Sequence, residues 1–369
     1  MIAERITTRS ERFSGPFELK SGAVLPEYEL AFEWYGRPNA ARSNCIPLEH
    51  GATAGAHAAG LNESSGATGW WDKAIGPGCL LDTHKYAVLS VNALGSCFGS
   101  TGPLSRNPET GSPYAGDFPI VTAEDVVRSQ LPLLERLGIQ RLHATIGGSM
   151  GGMCATTWAM LFPERVGKVV SFGAGYKTTA MTIGFNEALR HAIYTDPKWK
   201  GGYYPPEDPP LDGLKAARMI AVMTWMSADA FAARFGRRLQ DRQSPTWSLD
   251  ADFQIESFLR YYGGSSTESI DANTYVRMMR LLDYYDLSEG AGRKHLIERL
   301  RGLLAKFLLI SFSTDMRCPP DEVARFATAL EEAGVEVEYQ EHITPLGHSA
   351  FVMEPDVHIK TVHRFLDTI

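Results

Sequence analysis

The sequence predicts an α/β fold: a mostly parallel central sheet with helices on both faces and an inserted set of helices. Three observations carry this. Short apolar runs alternate with amphipathic helical patterns over residues 122–172 and again over 306–366, as repeated strand–helix units require. Between these blocks, residues 178–299 show helical periodicity and no convincing strand. The 369 residues are 44% hydrophobic and 21% charged, enough apolar material for one large core.

The elements follow in order. Residues 17–24 and 28–34 alternate as strands do, separated by Leu25-Pro26. Residues 44–48 are an apolar run ending in the small-residue stretch His50-Gly-Ala-Thr-Ala-Gly-Ala-His57, and 86–91 read as a buried strand. A Gly-, Ser- and Pro-rich loop spans 95–119. Thr122 can cap a helix carrying Val127, Leu131 and Leu134 on one face. Strand, helix and strand then follow at 142–146, 151–161 and 166–172. The insertion offers helices at 180–193, 214–235, 253–261 and 272–282, with joins such as Tyr204-Pro-Pro-Glu-Asp-Pro-Pro210. The alternation resumes with a strand at 306–311 and a helix at 319–333, with Val323, Phe326, Ala327 and Leu330 on one face. A strand at 335–339 and a closing helix at 357–366 complete it. The division is therefore 1–177 for the first part of the core, 178–299 for a helical lid, and 300–369 for the second part.

Composition excludes several classes. With 36 Lys+Arg against 43 Asp+Glu the formal charge is −7, which disfavours a nucleic-acid partner. Five scattered cysteines without a Cys-x-x-Cys pair argue against a disulfide framework and a structural zinc site. No apolar run reaches membrane-spanning length, and the first residues lack a signal-peptide core. The expectation is a cytoplasmic protein with no membrane partner.

The strongest chemical signal is Thr145-Ile-Gly-Gly-Ser-Met-Gly-Gly152, which contains Gly147-x-Ser149-x-Gly151 between a predicted strand and a predicted helix. That setting is what a nucleophile elbow needs, because small residues permit the sharp turn that exposes the serine. A serine needs a base, and the base needs an orienting acid. Asp315 follows a strand in Ser313-Thr-Asp-Met-Arg-Cys-Pro-Pro320, and His348 follows the next strand. The order Ser, Asp, His fits. Asp321 is the nearest competitor, but it sits in a first helical turn and reads as a helix-dipole partner. His342, His358 and His363 read as strand-end, surface or packing residues, and His50 and His57 as structural. The Met150 N–H, at a helix start, is one oxyanion donor, and the Ala52 N–H, in the small-residue loop, is the other. No cluster has metal-ligand spacing, so neither a catalytic metal nor a cofactor is expected.

With these residues placed, the chain resembles the homoserine O-acetyltransferase family of α/β-hydrolases over nearly its whole length. The matching segments include Gly69-Trp-Trp-Asp-Lys-Ala-Ile-Gly-Pro-Gly78, Gly99-Ser-Thr-Gly-Pro103, Gly148-Ser-Met-Gly-Gly-Met153, Asp196-Pro-Lys-Trp-Lys-Gly-Gly202, Ala217-Arg-Met-Ile220 and Asp271-Ala-Asn-Thr-Tyr275. The resemblance implies an α/β-hydrolase fold and a Ser149, Asp315 and His348 triad. It also implies a helical lid forming a tunnel, and often a homodimer contact through that lid. In such transferases acetyl-CoA acylates the serine and the homoserine hydroxyl then takes the acetyl group.

Departures from the family pattern bear on the substrate. The family's substrate-contacting arginine stands here as Arg218. Its nearby tyrosine is Trp225, an Arg-Phe pair reads Ser269-Ile270, and the aspartate after the catalytic histidine is Ser349. A serine cannot offset an ammonium charge. Together these changes predict a more apolar acceptor side. They point to the esterase-like branch: a carboxylic ester hydrolase acting on short acetyl esters of simple alcohols. The alternative is an acetyl-CoA-dependent O-acetyltransferase acting on homoserine, serine or another alcohol, with Lys198, Lys200, Arg237 and Arg238 as candidate contacts for CoA phosphates. A non-catalytic binding protein on this fold would lack serine reactivity toward a fluorophosphonate.

Overall fold

The computed structural model describes residues 5–267 and 270–368. Among these, eight strands form the main sheet: β1 (Arg9–Glu18), β2 (Val24–Tyr35), β3 (Cys45–Glu49), β4 (Ala87–Val91), β5 (Thr145–Gly148), β6 (Lys168–Phe172), β7 (Lys306–Phe312) and β8 (Val337–His342). Their spatial order is β8-β7-β6-β5-β3-β4-β2-β1. Strands β3 to β8 run parallel, and β1 and β2 add an antiparallel edge. The helices are α1 (Ala123–Arg136), α2 (Met150–Leu161), α3 (Ala180–Tyr194), α4 (Leu211–Trp225), α5 (Ala228–Arg234), α6 (Gln254–Thr267), α7 (Ala272–Asp283), α8 (Gly292–Leu300), α9 (Pro320–Glu332), α10 (Ala350–Met353) and α11 (Ile359–Asp367). No helix is long and apolar enough to cross a membrane among the described residues.

Alternation along the strands builds two apolar layers. Val169, Phe307 and Leu309 pack with Val126 of α1, Trp158 of α2 and Phe326 of α9. Their neighbours Val170, Leu308 and Ile310 pack with Trp71, Leu81 and Phe365 on the other face. Strands buried on both sides need continuous apolar runs, which is how β6 and β7 read. Thr122 caps α1 as the sequence predicts: its side chain accepts from the Asp125 N–H, and the Asp125 carboxylate accepts from the Thr122 N–H at 2.9 Å.

The strand order sets the position of the site. The chain moves from β3 outward to β4, then returns to β5 on the other side of β3 and proceeds through β6, β7 and β8. The loops after β3 and β5 therefore diverge around a crevice at the carboxyl ends of the strands, the preferred place for a ligand in such a sheet. Helices α3 to α8 all fall between β6 and β7. They are tied to the core through Thr182 Oγ1, which donates to the Arg317 carbonyl at 2.6 Å, and through Ser227 Oγ, which donates to the Pro345 carbonyl.

Some elements differ from the sequence expectation. The first hairpin turns at residues 19–23, where Gly22 takes φ +82° and its N–H donates to the Leu19 carbonyl at 2.8 Å, so Leu25-Pro26 lies inside β2. The expected helix 214–235 is broken: Met226 is extended (φ −112°, ψ 151°), and Ser227 caps α5 by accepting from the Ala230 N–H at 3.0 Å. Helix α8, rich in charge, was not expected.

Candidate active site

Ser149 is the single residue between β5 and α2, with φ 58° and ψ −125°. A non-glycine residue held there costs on the order of 1–3 kcal/mol of backbone strain. The turn is pinned on both sides: the Ser149 N–H donates to the Phe172 carbonyl at 2.9 Å, and the Ser149 carbonyl accepts from the Met153 N–H at 3.1 Å. The flanking glycines are dictated by close approach. A Cβ on residue 151 would lie 1.9 Å from the Glu49 carbonyl oxygen, and one on residue 147 would lie 2.4 Å from the Gly151 carbonyl carbon.

Asp315 stands in the turn after β7, and His348 stands in the loop after β8. Asp315 Oδ1 accepts from the N–H groups of Arg317 and Cys318 at 2.8 and 2.9 Å. Asp315 Oδ2 lies 2.6 Å from His348 Nδ1. A carboxylate accepting there fixes the Nδ1–H tautomer and leaves Nε2 free to take a proton. His348 Nε2 is buried and has no partner. Ser149 and His348 line the same cavity of about 370 Å³. The chemistry available to this arrangement is acyl transfer through a serine nucleophile.

Met150 opens α2, where the N–H has no intrahelical acceptor and sits at the positive end of the helix. Ala52 lines the cavity from the loop after β3. Glu49 pairs in register with Gly147 across the sheet, which brings that loop beside Ser149. His50 anchors the loop: its Nε2 accepts from the Ala93 N–H at 2.9 Å, so its Nδ1–H donates to the Gly51 carbonyl at 2.8 Å. Burial pushes its pKa down to about 4. Below it, the buried Glu49 carboxyl accepts from Gln130 Nε2 at 3.0 Å and Trp158 Nε1 at 2.9 Å, and burial pushes its pKa up to about 7.

Arg218, Trp225 and Ser349 all line the cavity. The Arg218 guanidinium lies 5.1, 5.8 and 5.6 Å from the ring centres of Trp225, Tyr262 and Tyr275. Its Nη2 donates to the Tyr262 hydroxyl at 3.4 Å, while Nε and Nη1 are buried without a partner. The cavity also takes Arg317, which the sequence did not single out. The lining is mixed: the two guanidiniums stand among Leu189, Ala221, Trp225, Met279, Leu282 and Phe351. The only available signal was an arginine two residues after the candidate acid; its inward direction comes from the turn around Asp315. Ser269 lies outside the described residues.

The competitors are engaged elsewhere. Asp321 pairs with Arg325 at 2.8 Å, His342 with Glu354 at 3.3 Å, and His57 with Glu33 at 3.0 Å. His363 Nε2 donates to the Cys79 carbonyl at 2.8 Å, and His358 is buried among aromatic rings. Lys198 pairs with Asp208, and Arg237 packs over Phe253; neither lines the cavity.

Comparison with known proteins agrees with this fold. A family profile described as alpha/beta hydrolase fold matches residues 48–355. A homoserine O-acetyltransferase of Zymomonas mobilis is 45% identical over 355 residues, covering 96% of this chain and 95% of its own. A homoserine O-succinyltransferase of Janthinobacterium sp. (strain Marseille) is 43% identical, covering 98% and 94%. Among solved structures, esterase E22 superposes with a TM-score of 0.88 at 30% identity, covering 98% of this chain and 100% of its own. The chain belongs to the α/β-hydrolase fold family, in the group that holds the homoserine O-acetyl- and O-succinyltransferases.

Proposed function

We propose that this enzyme is an O-acyltransferase that moves a short acyl group from an acyl-CoA through Ser149 to the hydroxyl of a small carboxylate-bearing alcohol, the class to which homoserine belongs. One observation carries the reading: Arg218 is a buried guanidinium with two unpartnered nitrogens in the cavity that holds Ser149. A buried cation calls for an anion. A carboxylate on the acceptor supplies one and fixes its orientation, whereas a simple alkyl acetate supplies none. The relatives above support the same class of reaction.

Ser149 Oγ attacks the thioester carbonyl as His348 Nε2 takes its proton. Asp315 holds the imidazole and stabilises the imidazolium, and the Met150 and Ala52 N–H groups stabilise the oxyanion. Collapse expels the CoA thiol, which receives the proton from His348. The acceptor hydroxyl then attacks the acyl-serine, losing its proton to His348, and collapse returns that proton to Ser149 Oγ. Arg218 would place the acceptor by its carboxylate, a proximity effect. Helices α3 to α8 would act as a lid that limits water, and a homodimer would form through them.

A second reading is an acetyl-ester hydrolase, in which water replaces the acceptor. Ser349 beside His348 favours it, because the transferase pattern carries an aspartate there, and esterase E22 shares the fold. Steady-state CoA release from acetyl-CoA separates the two. Release that requires a carboxylate-bearing alcohol supports transfer. Release at the same rate without one, together with fast p-nitrophenyl acetate hydrolysis, supports the hydrolase.

A further inference from the structure

Arg317 is a buried cation that the triad and the elbow leave unexplained. Its main chain serves Asp315, but its side chain reaches into the helical stretch, where Nη1 donates to Thr224 Oγ1 at 3.0 Å and Nη2 to Asn186 Oδ1 at 2.6 Å. Both acceptors are neutral. Arg317 lines the cavity together with Arg218, whose guanidinium lies 5.6 Å from the ring centre of the buried Tyr275.

None of the described residues lining the cavity is acidic. The nearby carboxylates are already engaged: Asp315 by His348, and Asp283 by Arg190 at 2.5 Å. Burial draws the Arg317 pKa below its ordinary value, and Tyr275, Asp315 and Asp283 offset only part of that cost. Two guanidiniums without an anion are compensated when the ligand brings one. An ammonium group in the same space meets two like charges, and Ser349 offers it only a hydroxyl.

We propose that Arg317 and Arg218 together select a substrate that carries a carboxylate and no ammonium group: a short hydroxy acid as acyl acceptor, or the ester of one. This deepens the acyl-transfer reading and rests on it for the transfer step alone, since a hydrolase with this cavity would show the same charge selection.

The test has two arms on the purified full chain. In the first, acetate release is measured from 4-acetoxybutyrate, O-acetyl-L-homoserine and propyl acetate. The expected kcat/KM for 4-acetoxybutyrate exceeds each of the others by about 10-fold or more. Equal or better turnover of either of the others overturns the proposal. In the second, CoA release from acetyl-CoA is followed with 4-hydroxybutyrate and with L-homoserine. Failure here with success in the first arm removes transfer and keeps acid selection. Homoserine outrunning 4-hydroxybutyrate here overturns acid-only selection and keeps transfer. Inactivity in both arms overturns both.

Two variants guard against a purely structural role for Arg317. Arg317→Gln should raise KM for 4-acetoxybutyrate about 10-fold more than KM for propyl acetate, with Arg317→Lys recovering part of the loss. An equal change for both esters would make Arg317 a structural tie and overturn its selecting role. Ser349→Asp should move the ratio of kcat/KM values toward O-acetyl-L-homoserine; an unmoved ratio would contradict the charge argument.

Discussion

The Arg317 N–H donates to Asp315 Oδ1 at 2.8 Å while Asp315 Oδ2 holds His348 Nδ1 at 2.6 Å. One short turn after β7 therefore fixes the Asp315 carboxylate against His348 and brings a guanidinium to the cavity. The two jobs can be separated by substitution. Asp315→Asn places an amide N–H where Nδ1–H needs an acceptor and favours the wrong imidazole tautomer. The expected loss in kcat is about 10⁴-fold, by the precedent of other Ser-His-Asp enzymes. A variant retaining a tenth or more of wild-type kcat would take Asp315 out of that role.

Arg218 touches three aromatic rings and has two open nitrogens. Lysine keeps the charge but loses the planar fork and the stacking. Arg218→Lys should raise KM for a carboxylate-bearing acceptor about 10-fold, with a smaller effect on the acylation burst from p-nitrophenyl acetate. A burst lost as fully as the acceptor step would point to a collapsed cavity instead of a binding contact.

Gly151 has no room for a side chain, since its Cβ would sit 1.9 Å from the Glu49 carbonyl oxygen in the backbone of β3. Backbone on both sides cannot yield cheaply. Gly151→Ala should lower stability by about 3 kcal/mol, the upper end for overpacking, read as a fall in the urea midpoint. An unchanged midpoint would mean that the elbow and the loop after β3 can part.

Glu49 gives a pH signature. Its carboxyl keeps its proton up to about 7 in the folded chain, against an ordinary 4.5. Between these values the folded state binds more protons than the unfolded state, so this residue makes stability fall as pH rises through that window. His50 and His358, both pushed down to about 4 by burial, act oppositely from about 4 to 6.5 and are shared by any Glu49 variant. The Tm of Glu49→Gln minus that of wild type should therefore rise from pH 5 to pH 8. A flat difference would show that the carboxyl ionises freely in the fold.

Much of this was legible in the chain because local chemistry and global topology agree. Ser149 could be read from glycines that the close packing of β5, α2 and β3 demands, and Asp315 and His348 from their places after successive strands. The first hairpin was misplaced because a proline inside a strand next to an edge looks like a turn. The break at Met226 was hidden because Trp225 and Met226 continue the helical apolar pattern, and only the capping hydroxyl of Ser227 marks the stop. Arg317 was passed over because spacing reports which residues share a loop, not which of them turn inward. The expectation of a more apolar acceptor side counted Arg218 and lacked Arg317, which joins an otherwise largely apolar lining.

The most direct test of the central claim is the fate of the acyl group on Ser149. The enzyme is acetylated with p-nitrophenyl acetate, the excess is removed, and the acyl-enzyme is chased with buffer alone or with a carboxylate-bearing alcohol. Mass spectrometry follows both the protein and the products. The account predicts one acetyl group on Ser149, slow loss to water, and fast transfer to the alcohol as an O-acetyl ester. Free acetate as the sole product, formed at the same rate with and without the alcohol, would contradict it.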